Sequence, residues 1–196
     1  MTAVKITVNK ADRGPDDFWS NIGLSEIEIY GEESDIEAAE NKNHVNAAGV
    51  TAEASTTEAS SLPVSNIKDG NNQTRWASDY SEASKQTVTV TFPKVTLVKE
   101  LDFDLHTRDV APMPSNVKSF DLVYADAAGT EHTVKISNAK STESGKTGYV
   151  TNVQHIFETP VYMKSFKMTN FDLQIDIEGQ NGYNNISILE VRAYSK

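Results

Sequence analysis

Beyond residue 86 the apolar residues return at every second position, and this period limits the fold more than any other feature of the chain. Val88, Val90 and Phe92 alternate with Thr87, Thr89 and Thr91, and Leu101, Phe103 and Leu105 alternate with Asp102 and Asp104. Phe120, Leu122 and Tyr124 share one face of a third run, and Val134 and Ile136 share one face of a fourth. Phe171, Leu173, Ile175 and Ile177 alternate with Asp172, Gln174 and Asp176 in a fifth. A period of two places these side chains on one face of a strand, so each run has a buried side and a wet side. Short strands of this kind separated by turn residues, with no long amphipathic helix, predict an all-β fold: an antiparallel β-sandwich. The single helical signal is at residues 34–43, where Ser34 and Glu37 have capping-box spacing ahead of Ala38 and Ala39. It reads as a short acidic connector. Residues 46–65, rich in Ala, Ser and Thr with strand character around Val50, read equally as a first strand or as a surface loop.

At 196 residues, 38% of them hydrophobic and 23% charged, the chain can bury one core and is not compositionally disordered. A net charge of -10 repels polyanions, which argues against nucleic acid and anionic lipid surfaces as partners. No cysteine is present, so disulfides and thiolate metal sites are excluded. No apolar run reaches membrane-spanning length. The first ten residues have no basic segment followed by an apolar one, so an export signal would lie upstream of them.

One end of the chain imitates the other. Residues 19–30, from Trp19 to Tyr30, align with residues 183–194, from Tyr183 to Tyr194, and Val4-Lys5-Ile6-Thr7 resembles Phe166-Lys167-Met168-Thr169 at nearly the same upstream distance. The organisation expected is an amino-terminal hairpin at 1–31, an acidic connector at 32–44 and a sandwich at 45–196. Two strands cannot bury their own apolar face, so 1–31 either docks on the sandwich or is the remnant of a similar preceding module.

The most specific stretch is residues 65–78. Asp69, Asn71, Asn72 and Thr74 supply oxygen donors around Gly70, a residue that permits a sharp turn. Such a run reads either as an Asx-rich turn or as a loop that wraps a hard cation. Its spacing is not that of an EF-hand.

The run at residues 66–78 and the closing run at 186–194 resemble the discoidin domains, also called coagulation factor type C domains. Within that superfamily they are most similar to the family 32 carbohydrate-binding modules of bacterial glycoside hydrolases. The resemblance covers residues 45–196. It implies a galactose-binding-domain-like jelly roll with a structural Ca2+ held by Asp69, by oxygens at Lys68, Asn72 and Thr74, and by the Glu190 carboxylate. Trp76 would be core. It also implies a shallow site for terminal galactose, N-acetylgalactosamine or N-acetylglucosamine glycans at one end of the sandwich.

In that site Tyr80 would stack on the sugar, Arg108 and Asn116 would supply hydrogen bonds, and Tyr183 would add a second aromatic ring. The family's histidine falls on Ala77, a departure that removes the usual contact to an axial hydroxyl. His106, on a neighbouring run, is the candidate substitute. Read from the residues alone, Tyr80 is equally an exposed loop tyrosine. Arg108 is equally a surface partner of Asp109 or Asp104, and His106 a half-exposed residue at a strand end.

Catalytic motifs are missing. No Gly-x-Ser-x-Gly, His-Glu-x-x-His or Walker loop occurs, and His44, His106, His132 and His155 lack zinc-site spacing. The expectation is therefore a non-catalytic carbohydrate-binding module, extracellular or attached to a bacterial cell surface, covalently linked to neighbouring domains such as a glycoside hydrolase. The alternative is a structural or protein-binding calcium-stabilised domain of a surface adhesin. Membrane insertion would need apolar loop spikes with basic neighbours, and the loops at 78–85 and 109–116 offer little beyond Val110 and Met113.

Overall fold

The computed structural model describes residues 42–106, 115–141, 150–177, 180–181 and 184–196. All of them belong to a compact unit, Ala38–Lys196. The expected hairpin at 1–31 and nearly all of the connector at 32–44 lie outside the described residues.

Among the described residues nine strands run in the order β1 (Thr51–Ala54), β2 (Trp76–Ala77), β3 (Val88–His106), β4 (Asn116–Asp126), β5 (Glu131–Ser137), β6 (Val150–Gln174), β7 (Asp176–Ile177), β8 (Gln180–Asn181) and β9 (Ser187–Tyr194). Seven form one antiparallel sheet in the order β2-β9-β3-β6-β4-β5, with β1 on β3, while β7 and β8 form a separate pair. The two long strands serve both layers of the sandwich. β3 pairs with β1 through Val88–Thr91 and with β9 through Glu100–Leu105, and its pairing with β6 slips between Thr91 and Thr96 and between Val98 and Glu100. Bulges at these slips bend the strand, which lets one continuous strand turn from one layer into the other.

The alternating runs at 86–92 and 101–105 are thus two halves of a single 19-residue strand. Pro93 sits where β3 slips, the position at which a residue without an N–H is tolerated in a sheet. Of the two readings of residues 46–65, the structure has a first strand at Thr51–Ala54, flanked by loops.

The core follows the period. Val88, Val90, Phe92, Leu101, Phe103, Leu105, Phe120, Leu122, Phe166, Met168 and Ile188 are fully or almost fully buried. Phe103 of one layer meets Phe120 edge-on at 5.0 Å and Phe166 at 6.5 Å, which are ordinary aromatic packing distances between facing sheets. The fifth run departs from expectation at its end. Phe171 is buried and Leu173 partly buried, but Ile175 is exposed. β4 begins opposite Gln174, so among the described residues Ile175 lies past the last position at which β4 pairs with β6.

Candidate functional site

Trp76 fixes the geometry of both candidate sites. Its ring is fully buried, its indole N–H donates to the Thr56 carbonyl at 3.1 Å, and its backbone pairs with Ile188 of β9. The loop before it lies against the carboxyl-terminal strand, and the loop after it runs out to the other end of β2.

Before Trp76, a short 3-10 turn at Val64–Lys68 delivers Asp69, and Gly70 adopts φ 75, a left-handed conformation suited to glycine. The Asn71 N–H then lies 2.8 Å from Asp69 Oδ1 and 3.0 Å from Glu190 Oε1, so one amide gathers two carboxyl groups from chain positions 69 and 190. The Thr74 hydroxyl is 2.7 Å from Asp69 Oδ2 and 2.8 Å from the Asn71 carbonyl. Asn72 Oδ1 accepts from Gln73. Burial, joined by the neighbouring Asp69 carboxylate, pushes the Glu190 carboxyl up to about 7 against the N–H groups of Gly70 and Asn71. Desolvation also acts to raise Asp69, but the Thr74 hydroxyl and the Asn71 amide outweigh it and hold Asp69 below the usual range. Below about pH 7 the proton therefore sits on Glu190 rather than on Asp69.

Glu190 Oε2 is buried without a hydrogen-bond partner. Among the described residues no ion pair reaches Asp69 or Glu190, and Arg192, two residues along β9, is committed to Asp104 at 2.7 Å and Asp102 at 3.8 Å. Among the described residues no group of three His, Cys, Asp or Glu side chains comes together. A cation here would have two carboxylates plus hydroxyl, amide and carbonyl oxygens, the donor set of a hard ion such as calcium. The residues present fit that ion.

After Trp76 the chain reaches a polar end of the sandwich. Ser78 is locked to Ile186 by paired bonds, its N–H donating to the Ile186 carbonyl at 3.0 Å and its Oγ accepting from the Ile186 N–H at 2.9 Å. Tyr80 is 49% exposed, and its hydroxyl donates to Glu58 Oε1 at 2.6 Å. Asn185 Nδ2 lies 3.3 Å from the other Glu58 oxygen and 3.4 Å from the Ser78 carbonyl, and Asn184 Nδ2 lies 3.4 Å from the Ser81 carbonyl. The Ser115 hydroxyl bonds the Asn185 carbonyl, which brings the start of β4 to the same end. Both polar side-chain atoms of Asn116, and Asn185 Oδ1, are buried without partners.

Of the expected sugar contacts, Tyr80 thus lies beside Glu58 and Asn185, while Asn116 is 2% exposed, next to the Ser115 that touches Asn185. His106 is 7% exposed and meets Ser187 through Nδ1 at 3.3 Å, and Ser187 is the β-partner of Ala77. One strand separates His106 from the place it would have to substitute. Arg108 and Tyr183 lie outside the described residues. Glu58, Ser78 and Asn185 escape sequence reasoning, since Glu58 and Asn185 are 127 positions apart. The adjacent Asn184 and Asn185 just before the last strand are the one local signal that bore on this end.

The chain matches the F5/8 type C domain model over residues 51–191. No curated protein matches the sequence. Among solved structures it is similar to a family 32 carbohydrate-binding module of Clostridium perfringens NanJ in complex with galactose, with 21% identity, TM-score 0.52, 74% of this chain and 93% of that one. A second such module, from a Clostridium perfringens family 31 glycoside hydrolase, gives 17% identity and TM-score 0.51 over 75% of this chain and 94% of that one. A chitosan-binding module from a Paenibacillus chitosanase/glucanase, carrying a Val-to-Met substitution, gives 20% and 0.52 over 78% of this chain and 99% of that one. The fold is that of the family 32 modules, and with the model covering residues 51–191 this chain belongs to the F5/8 type C (discoidin) domain family.

Proposed function

We propose that this domain is a non-catalytic carbohydrate-binding module that holds terminal galactose-type or N-acetylhexosamine glycans at the Tyr80 end. The observation that carries the reading is the exposed Tyr80 ring beside the Glu58 and Asn185 side chains, with three buried amide atoms of Asn116 and Asn185 unpartnered at the same end. A pyranose has an apolar C–H face that packs on an aromatic ring and hydroxyls that pair with fixed amides and carboxylates. The galactose bound to the NanJ module supports the same ligand class here. A shallow site with few contacts binds a monosaccharide weakly, with Kd on the order of 0.1 to 1 mM.

Calcium belongs to this proposal. Asp69, Thr74 and Glu190, with oxygens of Lys68 and Asn72, would hold the ion. When bound it would supply positive charge to the carboxyl pair and tie the 69–74 loop to β9. Secretion or surface attachment, and covalent linkage to a glycoside hydrolase, complete the reading. Among the described residues no helix is long and apolar enough to cross a membrane.

Ala77, 1% exposed at the place to which the family resemblance assigns a histidine, favours a second reading: a calcium-stabilised structural or protein-binding domain of a surface adhesin. A glycan array followed by calorimetry with galactosides and N-acetylhexosamines separates the two. Binding lost in Tyr80→Ala at unchanged Tm supports the module. No signal on any terminal galactose, N-acetylhexosamine or fucose sinks it.

A further inference from the structure

A second cleft lies on the outer face of the sheet, between the residues that precede Trp76 and the strands β9 and β3. Its volume is about 400 Å3, and its walls are Asn72, Gln73, Arg75, Asp104, His106 and Leu189, with Val150 at the edge. Such a volume falls within the roughly 300–1,000 Å3 of small-ligand sites.

The floor has a specific origin. Along β9 the pairing passes from Glu190 opposite Asp104 to Ile188 opposite Leu105, so Leu189 is an extra residue in the ladder. Ile188 and Val191 pack in the core cluster and Leu189 does not, although it is 7% exposed. The bulge re-aims an apolar side chain away from the core and into this cleft, a use to which bulges next to binding sites are put.

The charge in the cleft is equally specific. Two arginines are among the described residues. Arg192 is neutralised by Asp104 and Asp102. Arg75 pairs with no described carboxylate, and its Nε is buried without a hydrogen-bond partner. Asp104 is already held by Arg192 at 2.7 Å and by Asn152 at 2.7 Å, so the carboxylate that shares the cleft is committed elsewhere. In a chain of net charge -10 an unpaired guanidinium in a concave wall is a local exception. Its planar fork matches a carboxylate, and a buried donor with no partner is the group that gains most when one arrives. The Asn72 and Gln73 amides beside it suit hydroxyls, and Leu189 and Val150 suit the C–H face of a ring.

We propose that this cleft binds the carboxylate of an acidic sugar through Arg75, with Leu189 under the ring and the Asn72 and Gln73 amides on its hydroxyls. The inference does not depend on the Tyr80 end. Arg75 and Tyr80 are on opposite sides of Trp76, and the ligand chemistry differs.

The test is NMR titration of the full chain, in calcium-containing buffer, with glucuronate and galacturonate, their neutral parents glucose and galactose, and acetate and phosphate as ion controls. The Arg75 Nε–Hε resonance reports the contact directly. The expected result is a saturable shift with a uronate, at least about tenfold tighter than with its neutral parent or with acetate. Arg75→Gln loses that difference at unchanged Tm, and Arg75→Lys retains part of it. Tyr80→Ala leaves uronate binding intact, whatever it does to neutral sugars, so failure at one site is distinguishable from failure at the other. No shift at the Arg75 resonance, equal binding of neutral and acidic sugars, an equal response to acetate or phosphate, or unaltered uronate affinity in Arg75→Gln would each overturn the proposal. Should Arg75→Gln fail to fold, the resonance of the unaltered protein decides alone.

Discussion

Replacing Glu190 by glutamine should stabilise the protein in chelator at pH 8 and abolish its response to calcium, an inversion of sign that follows from the buried carboxyl pair. Glu190 titrates at about 7 in the fold against 4.5 for an ordinary glutamate. A raised carboxyl favours the protonated form, so its contribution is fully present below about pH 4.5 and is lost as pH rises toward 7. Ionising it costs the folded state up to about 3 kcal/mol, at about 1.4 kcal/mol per tenfold change in proton affinity. Glutamine has the same shape, keeps an oxygen for the Asn71 N–H at 3.0 Å, and cannot ionise beside Asp69.

In chelator the Tm difference between Glu190→Gln and the unaltered protein should therefore be near zero at pH 4.5. It should grow to roughly 6–12 °C by pH 8, since 1 kcal/mol moves Tm by roughly 2–4 °C in a domain of this size. Taking the difference between the two proteins cancels the opposing titration of Asp79 and Asp126, whose lowered values strengthen the fold as pH rises. In calcium the order reverses. A ligand at one thousand times its Kd adds about 4.1 kcal/mol to the unaltered protein, more than the ionisation of Glu190 costs, and the glutamine protein has lost one of the two carboxylates. Differential scanning fluorimetry across pH 4.5 to 8.5, with and without chelator, reads all of this. A pH-independent loss of stability in Glu190→Gln would refute the carboxyl-pair account, and an equal calcium-induced rise in both proteins would refute Glu190 as a ligand.

Gly70→Ala should lower stability by about 1–2 kcal/mol in urea, because φ 75 is the left-handed region that a Cβ disfavours, while the Asn46 amide 2.8 Å from that Cβ can swing aside. Phe103→Ala should cost about 3–5 kcal/mol by the same assay, since the ring is fully buried between Phe120 and Phe166 and no neighbour can refill its volume. A double-mutant cycle on Arg192 and Asp104 should return a coupling on the order of 1 kcal/mol that high salt only partly removes, the pair being largely shielded from solvent at 24% and 13% exposure.

The core was readable because alternation survives without knowledge of partners. Val88 to Phe92 and Leu101 to Leu105 bury the faces that their period predicts. Their fusion into one strand was not readable, because Pro93 and the exposed Lys94 and Val95 look like a turn until the slip in register against β6 is seen. Pairing of Asp69 with Glu190 was legible only through the family resemblance, since nothing local at position 190 points across 121 residues of chain. The Tyr80 end divides in the same way. Tyr80 stands out as an aromatic residue in a polar loop, whereas Glu58 becomes its partner only through the bond from the Trp76 indole to the Thr56 carbonyl and the docking of residues 56–58 on β2.

Leu189 marks the boundary between what a period can and cannot report. Ile186, Ile188, Val191 and Ala193 are buried, and the alternation changes phase across Leu189 and Glu190. Two adjacent residues that both escape the core face are the sequence imprint of a bulge. Here the extra residue Leu189 turns toward Arg75 while Glu190, paired with Asp104, faces the 69–74 loop, so two adjacent residues supply the floor of one candidate site and the carboxylate of the other. Deleting Leu189 would leave Ile188, Glu190 and Val191 in regular alternation, so Glu190 would keep its place beside the Asn71 amide while the cleft beside Arg75 would lose its apolar floor. The phase change is therefore a requirement of the Arg75 cleft and not of the carboxyl pair.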